Sequence, residues 1–564
     1  MPVLSAAGQR LTFADLVERV REIRQPTIGT ALILLDDARR RIGPLEVSFA
    51  EGGRDYHVWQ VGAAILAALV SVEGKLHVPQ TVPQFLSADS RLDLLTRAGG
   101  LATASRIADG PIGSDNERRR TILRILCTRS SLQRDFVYQF ALMLHLLGVW
   151  DVERGCEGDG FCDPLFRAEF ACTAREYAEM MFALWAIALK STAFRPSTWF
   201  SEAENPDTHR ALAEQIIRAL ACPAGDVARR VREDLALYEA DGLVQAWFTQ
   251  FPFVAAEDGV FIPAPLPFLR LAASSGAFYR ALSLAREDAA RNGSAKPWTN
   301  DYSSEMGRRF EGFVRFVLSK ARAPGDDICD EYEYQRGSNA LSADFIVTST
   351  RNPSTVLVVQ AKLKRLVPGA FYGFSPDDFR GDAEGPLAEL LWKSLRYIHR
   401  IHTLSNERLD ETHFTLHETV RQADSIVLLG VVPTLPSLFQ SDEFRSLIMA
   451  GVKAKLNEQE RQWFEANRAR FALWHVLDIE ELCAFVAVRS EKARTESLAD
   501  ALRAYLTRPG FGDLAREDGI LHSFRDWYIT THAAGRSKRH IPELQRIFDD
   551  FCTATTRKFF PDNA

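Results

Sequence analysis

Apolar residues in the first half of the chain recur with the period of an α-helix. Between Leu11 and about Ala290 they return every three or four positions, which is the spacing of one helix face. Stretches rich in helix breakers at residues 110–115, 155–164 and 221–225 predict loops between the helices. The pattern therefore predicts a mainly α-helical N-terminal region, with helices that include Asp15–Ile23, His57–Val72, Arg118–Leu126, Phe136–Leu147 and Tyr177–Leu189.

The pattern changes near Phe251, where two short apolar segments flank an Asp-Gly pair. This arrangement predicts a small β-hairpin, because Asp-Gly favours the tight turn between antiparallel strands. Residues 291–304 are polar and rich in breakers, so they predict a domain boundary. A chain of 564 residues also exceeds what a single core supports. We therefore expect a regulatory, target-recognition or assembly region at residues 1–295, an α/β domain at 296–492 and a helical C-terminal segment at 493–564.

Beyond this boundary, the apolar pattern alternates between the periods of strands and helices. Helices are predicted at Glu305–Ala321 and Pro386–Leu404, and residues 472–486 read as a strand followed by a helix. A group of strands flanked by helices predicts an α/β sandwich around a mixed central sheet. The remaining strands are predicted at Ile328–Gln335, Ser342–Thr348, Thr355–Lys364 and Ser425–Val432.

Composition and charge restrict the classes of function. Hydrophobic residues make up 46% and charged residues 25% of the chain, which is typical of a folded globular protein. The formal net charge of −6 excludes a uniformly basic surface, so any contact with nucleic acid needs a local basic patch. The sequence contains no GxxxxGK[ST], HExxH or GxSxG motif, so it does not predict an ATPase, a zincin or a serine hydrolase.

The sequence predicts a cytoplasmic protein that does not enter a membrane. The eight cysteines are sparse and irregularly spaced, as expected for free thiols in a reducing compartment. The longest apolar run, Val61–Val72, is shorter than the roughly 20 residues that cross a bilayer. The first residues also lack the basic and apolar parts of a secretory signal.

Polar residues interrupt two strongly apolar predicted strands. Because side chains alternate along a strand, Gln360 and Lys362 project from one face, opposite Val359. Asp344 lies in the preceding strand, and the short turn between the two strands predicts that they pair. Glu311 lies at the edge of the apolar face of the predicted helix before them. The sequence therefore predicts that the four side chains meet.

Such a group suits the metal-dependent hydrolysis of a phosphodiester bond. Asp344 and Gln360 offer the hard oxygen ligands that Mg²⁺ or Mn²⁺ requires. Lys362 offers a positive charge for the attacking water or the transition-state oxygens. The alternative is an edge strand that carries solvated polar residues and has no chemistry.

The predicted helix Pro386–Leu404 has a basic face. Lys393, Arg396 and Arg400 project from one side, opposite Leu391, Leu395 and Ile398. This face, with Lys364 and Arg365 at the end of the predicted strand, could follow a phosphate backbone. A plain solvated helix face explains the same pattern, so both interpretations remain open.

Three segments together resemble a known family. They are GRRFEGFVRFVL, SADFIV and VLVVQAKLKR, and they resemble the PD-(D/E)XK nuclease superfamily, most closely the Mrr-like restriction endonucleases, in which Gln commonly replaces the usual acid. The resemblance covers residues 305–490, about a third of the chain. It implies that Asp344 binds the metal, that Lys362 is the catalytic lysine and that Glu311 is the helix glutamate. Gln360 departs from the usual acid and, as a neutral ligand, should bind metal more weakly.

The resemblance implies a Mg²⁺- or Mn²⁺-dependent endonuclease that acts on DNA, in prokaryotic restriction or anti-phage defence. Asp344, Gln360, Glu311 and the Ala361 carbonyl would hold the metal ion. The main alternative is a nuclease fold that no longer cuts and serves as a nucleic-acid-binding or protein scaffold. A third interpretation is a helical platform for a protein partner, and a homo-oligomer is also open.

Overall fold

The structure is a computed structural model that describes residues 12–23, 27–43, 46, 48–51, 53–72, 85–107, 135–235, 240–297, 300–364, 380–435, 442–471, 473–489, 496–508, 524–532 and 540–561. The predicted helix Arg118–Leu126 and the predicted loop at 110–115 lie outside these residues. Within them, no helix combines the length and the apolar character needed to cross a membrane.

Helices dominate the described residues before position 297, as the apolar period predicts. Local hydrogen bonds fix the first turn of some of these helices: Thr12 and Asp15 form a capping box at one, and Thr173 and Glu176 form a capping box at another. The helices are Phe13–Glu22, Thr27–Arg41, Val58–Val70, Ala88–Ile107, Phe136–Leu146, Asp163–Phe170, Ala174–Ala188, Pro206–Leu220, Ala224–Leu235, Ala240–Gln250, Leu266–Ala272 and Ser275–Arg291.

Short strands accompany these helices. They are β1 (Ser48–Glu51), β2 (Arg54–His57), β3 (Trp150–Asp151), β4 (Cys156–Glu157), β5 (Ala221–Pro223), β6 (Phe253–Ala255) and β7 (Phe261–Pro263). The predicted hairpin is confirmed, because β6 and β7 pair antiparallel and Asp258 and Gly259 adopt positive φ between them. The predicted loop at 221–225 is wrong. Its first residues form β5, which pairs in parallel with β6, and a helix begins at Ala224.

A five-stranded sheet lies at the centre of the later part of the chain. The strands here are β8 (Asp326–Asp330), β9 (Glu333–Gln335), β10 (Ala340–Leu341), β11 (Phe345–Ser349), β12 (Thr355–Ala361), β13 (Ser425–Val432) and β14 (Trp474–Asp478). The sheet order is β14-β13-β12-β11-β8. Because β11 is antiparallel to both neighbours and β12, β13 and β14 are parallel, the predicted mixed sheet is confirmed.

Two predicted strands differ from those observed. The single strand expected at Ile328–Gln335 is divided, since β8 belongs to the sheet while β9 pairs with β10 in a separate hairpin. The strand expected to end at Lys364 ends at Ala361, so Lys362 lies one residue beyond β12.

Helices cover the sheet and continue to the C-terminal part of the chain. They are Asp301–Ala321, Ala388–Thr403, Phe414–Gln422, Asp442–Lys455, Glu458–Ala466, Ile479–Val488, Leu498–Leu506, Phe524–His532 and Pro542–Phe559. A single π-helical turn, Ala383–Leu387, leads into the helix at Ala388. The observed helices agree with the predictions at Glu305–Ala321 and Pro386–Leu404 within a few residues, and the described residues after 496 are helical as expected.

The two faces of the sheet belong to different buried clusters. Val356 and Val358 of β12 pack with the side of the helix Ala388–Thr403 that faces the sheet. Leu357 and Val359 belong to a larger cluster, which also contains residues of the helices Phe136–Leu146 and Leu498–Leu506. Every residue of β12 is buried, as expected for a strand covered on both faces. This larger cluster joins residues from all three segments proposed above, and their division into domains remains a prediction.

A third cluster occupies the N-terminal helices. It brings the helix Val58–Val70 against Ala240–Gln250. At their crossing, a Cβ atom added to Gly62 would lie 2.5 Å from Val244 Cγ1 and 3.2 Å from Phe248 Cε2. Glycine is therefore required for this close approach.

Candidate active site

A cavity of about 640 Å³ opens where β11 and β12 meet the helices Asp301–Ala321 and Ala388–Thr403. Asp344, Gln360, Lys362 and Glu311 all line it, so the structure brings together the four residues that were expected to meet. On the first helix, Ser303, Gly307 and Glu311 recur every four residues and therefore share the face that borders the cavity.

The sheet register places Asp344 beside Gln360. Phe345 is paired with Val359 in the antiparallel pair. Asp344, which precedes Phe345, therefore lies opposite Gln360, which follows Val359. Gln360 Nε2 donates a hydrogen bond to Asp344 Oδ1, and the Ala361 N–H donates to Asp344 Oδ2 at 2.6 Å. Both side chains are only 6% exposed, so the pair forms the buried floor of the cavity.

Burial makes the ionised form of the Asp344 carboxyl costly. Desolvation raises the pKa of Asp344 to about 7, and the nearby carboxylates of Glu311 and Glu331 add to the rise, while the Ala361 hydrogen bond opposes it. Desolvation and Glu331 also raise the pKa of Glu311. Partial desolvation raises the pKa of Glu331, an exposed residue that also lines the cavity. The three acids therefore form an environment that a cation would stabilise.

The donor atoms at the floor suit a hard divalent cation. The Oε1 atom of Gln360 is buried and has no hydrogen-bond partner among the described residues. Each Asp344 oxygen accepts one hydrogen bond and retains capacity for a further partner. Among the described residues, no three His, Cys, Asp or Glu side chains lie together as a metal cluster. A Mg²⁺ or Mn²⁺ ion held by Asp344 and Gln360 would therefore keep several water ligands, as Mg²⁺ commonly does.

Lys362 is held at the cavity wall by a residue that the sequence analysis missed. Its backbone N–H donates to the Val431 carbonyl at 3.0 Å, and its Nζ donates to Glu389 Oε2 at 2.8 Å. Lys393 Nζ lies 3.8 Å from Glu389 Oε1, so one carboxylate faces two lysines. Burial alone would raise the pKa of Glu389, but the hydrogen bond from Lys362 and the charges of both lysines lower it.

The residues expected on a basic nucleic-acid-binding face divide into separate groups. Lys393 and Arg396 are exposed and line the cavity. Arg400, one turn farther along the helix, is half-buried and lies outside the described lining of the cavity. Lys364 Nζ is 4.0 Å from Asp382 Oδ1, and Arg365 lies outside the described residues. The described lining of the cavity therefore includes two of the four predicted basic side chains that the structure describes.

Comparison of the chain with models of known families, with curated proteins and with solved structures found no match. The likeness to PD-(D/E)XK nucleases thus depends on the quoted residues and their spacing.

Proposed function

We propose that the protein is a Mg²⁺- or Mn²⁺-dependent endonuclease of the PD-(D/E)XK type, with DNA as its substrate. The observation that carries this proposal is the cavity, where Asp344, Gln360, Lys362 and Glu311 come together from a helix and two paired strands. An acid and an amide oxygen can hold a divalent metal ion, and an ammonium group can stabilise the negative charge that develops in metal-assisted phosphodiester hydrolysis.

The residues have separate roles in this proposal. Asp344 and Gln360 hold the metal, with the Ala361 carbonyl and Glu311 beside them. The chemistry that a metal ion held there would supply is polarisation of the phosphate and a lower pKa for the attacking water. Lys362 orients the attacking water or stabilises charge on the phosphate oxygens. Glu389 is a positioning residue, because its carboxylate fixes the Lys362 ammonium at the cavity wall.

The biological role follows the same resemblance. An Mrr-like enzyme would act in restriction or anti-phage defence, and the helical region at residues 1–295 would control target choice, assembly or activation. Such control could involve a protein partner or a second copy of the chain.

A binding function without cleavage is the second candidate. It is favoured by the internal pairing of the site, since both Asp344 oxygens accept hydrogen bonds and Lys362 is ion-paired with Glu389. A protein of this kind would bind nucleic acid or a partner and would need no metal. Calorimetric titration with Mn²⁺ separates the two candidates, because binding that Asp344→Ala removes is expected only for the nuclease.

The direct test is cleavage of plasmid and linear DNA with Mg²⁺, Mn²⁺ or EDTA. Lys362→Ala should abolish metal-dependent cutting. Lys453→Ala is a matched control, because Lys453 also pairs with a glutamate, Glu465, at 3.0 Å, and it lies outside the described lining of the cavity. Full activity of Lys362→Ala would refute the site, and absence of metal-dependent cutting would favour the binding function.

A further inference from the structure

The polar residues at the floor line only part of the cavity, and the rest of its volume extends above them. Asp344 and Gln360 occupy the floor, while the 640 Å³ volume extends between the β9–β10 hairpin and the helix Ala388–Thr403. A phosphate that reaches the floor must carry its sugar and part of the neighbouring chain into this space. A nucleotide bound with its phosphate at the floor would therefore also contact the walls above it.

These walls combine apolar and cationic groups. On the hairpin side, Leu341 is 53% exposed and leaves apolar surface at the cavity wall. On the helix side, the Arg396 guanidinium carbon lies 5.5 Å from the ring centroid of Trp392. Lys393 and Tyr397 lie one helical turn apart and line the same cavity. Lys393 adds a second positive charge to this wall.

A cation held over an indole ring is a suitable platform for a nucleobase. Unstacked bases of single strands stack on aromatic rings and on arginine guanidinium planes. Contact with Trp392 limits the freedom of Arg396 before any ligand arrives, which reduces the entropy lost on binding. Bases within a duplex are covered on both faces by their neighbours and cannot use such a platform.

We propose that the cavity binds an unpaired nucleotide whose base stacks on Arg396 over Trp392, and that the protein therefore prefers single-stranded or locally opened nucleic acid to intact duplex. This inference rests on the proposed nuclease function for the position of the phosphate. It adds a base-binding subsite and a substrate class to that function.

The test measures binding in EDTA, so that it does not depend on cleavage. Fluorescence anisotropy compares a labelled oligothymidylate, an abasic strand of the same length and a duplex. The abasic strand retains the phosphate charges but lacks bases. We expect the oligothymidylate to bind roughly tenfold more tightly than either of the others, as one stacked base allows.

Three variants assign this difference to Arg396. Arg396→Ala and Arg396→Lys should both remove the advantage of the oligothymidylate over the abasic strand, because lysine keeps the charge but has no plane for stacking. Arg400→Ala is the matched control, since it removes the same charge from the same helix outside the described cavity lining. It should retain the advantage.

Two results would overturn the inference: wild-type binding to duplex that equals or exceeds binding to the single strand, or an Arg396→Lys variant that keeps the full base-dependent advantage. Base-dependent binding without metal-dependent cleavage would support the subsite and refute the nuclease. Cleavage of duplex DNA without base-dependent binding would support the nuclease and refute the subsite.

Discussion

Replacement of Asp344 by Asn should stabilise the fold at neutral and alkaline pH. The wild-type carboxyl is buried, and its pKa is raised to about 7 in the folded protein. Folding therefore favours the protonated acid, and above this pKa the folded state must carry a buried negative charge. Asn has nearly the same shape and no charge, so it removes this cost.

The size of the expected gain in folding free energy follows from the pKa of Asp344. An acid with an ordinary value of 3.8 and a folded value of about 7 loses about 4 kcal/mol of folding stability once fully ionised. Hydrogen bonds offset little of this gain, since the introduced amide can still accept from the Ala361 N–H. Its NH₂ group can donate to Gln360 Oε1, which has no partner among the described residues, after the Gln360 amide turns. We expect a gain of about 2 to 4 kcal/mol at pH 8.

The sign of the pH dependence is fixed by proton linkage. Because the folded pKa lies above the unfolded one, the wild-type protein loses stability as the pH rises from about 4 to 7. The difference between wild type and Asp344→Asn should therefore be small at pH 4 and largest above pH 7. Thermal and urea unfolding in EDTA across this range measure it, since EDTA removes any stabilising metal.

Glu305→Gln provides a control of opposite sign. The hydrogen bond from Arg308 is the main cause that lowers the pKa of Glu305, so its neutral replacement should destabilise the protein at neutral pH. An Asp344→Asn variant that is less stable than wild type at pH 8, or a difference that does not change with pH, would refute the reasoning about the buried charge.

Three further predictions concern the site and the packing. Lys362→Ala should abolish DNA cleavage and change the unfolding free energy by only about 1 kcal/mol, because the ion pair with Glu389 is about one-third exposed and partly screened by solvent. Cleavage and urea unfolding, measured on one preparation, test both expectations. Glu389→Gln should lower kcat with little change in KM, because the carboxylate positions Lys362. Glu389→Asp keeps the carboxylate and should therefore retain part of kcat. An unchanged kcat in Glu389→Gln would exclude the positioning role. Gly62→Ala should destabilise the fold by about 1–3 kcal/mol through its contact with Val244. Gly225→Ala, whose added Cβ would meet no atom of the described residues within 4 Å, should not lower the melting temperature.

The sequence alone was sufficient to predict the helices and strands whose apolar residues follow the clearest pattern. The strand Ser425–Val432 has its predicted bounds, because a strand buried on both faces reads as an uninterrupted apolar run. The helix that carries Glu311 buries the predicted face, including Met306 and Phe310. The division between β8 and β9 was not visible, since both parts of the segment have strand-like residues and only their different pairing partners separate them.

At the candidate active site, too, the sequence predicted some contacts and not others. Asp344, Gln360 and Lys362 could be placed together because strand alternation and a short turn determine their relation. Glu389 could not, because its contact with Lys362 depends on how a helix distant in sequence packs on the sheet. Glu331 acts on the pKa of Asp344 through space and leaves no pattern in the sequence.

The covering of the central sheet also limits how this protein could evolve. The face that carries Leu357 and Val359 belongs to a buried cluster with helices that precede and follow the sheet along the chain. On the C-terminal side, Asn352 Nδ2 also donates to Asp500 Oδ1 at 2.6 Å. A gene fragment that encoded residues 296–492 alone would keep the helices Asp301–Ala321 and Ile479–Val488 of this cluster but would lose Phe136–Leu146 and Leu498–Leu506. Recombination that transferred this sheet without those two helices would therefore expose apolar surface of the cluster to water.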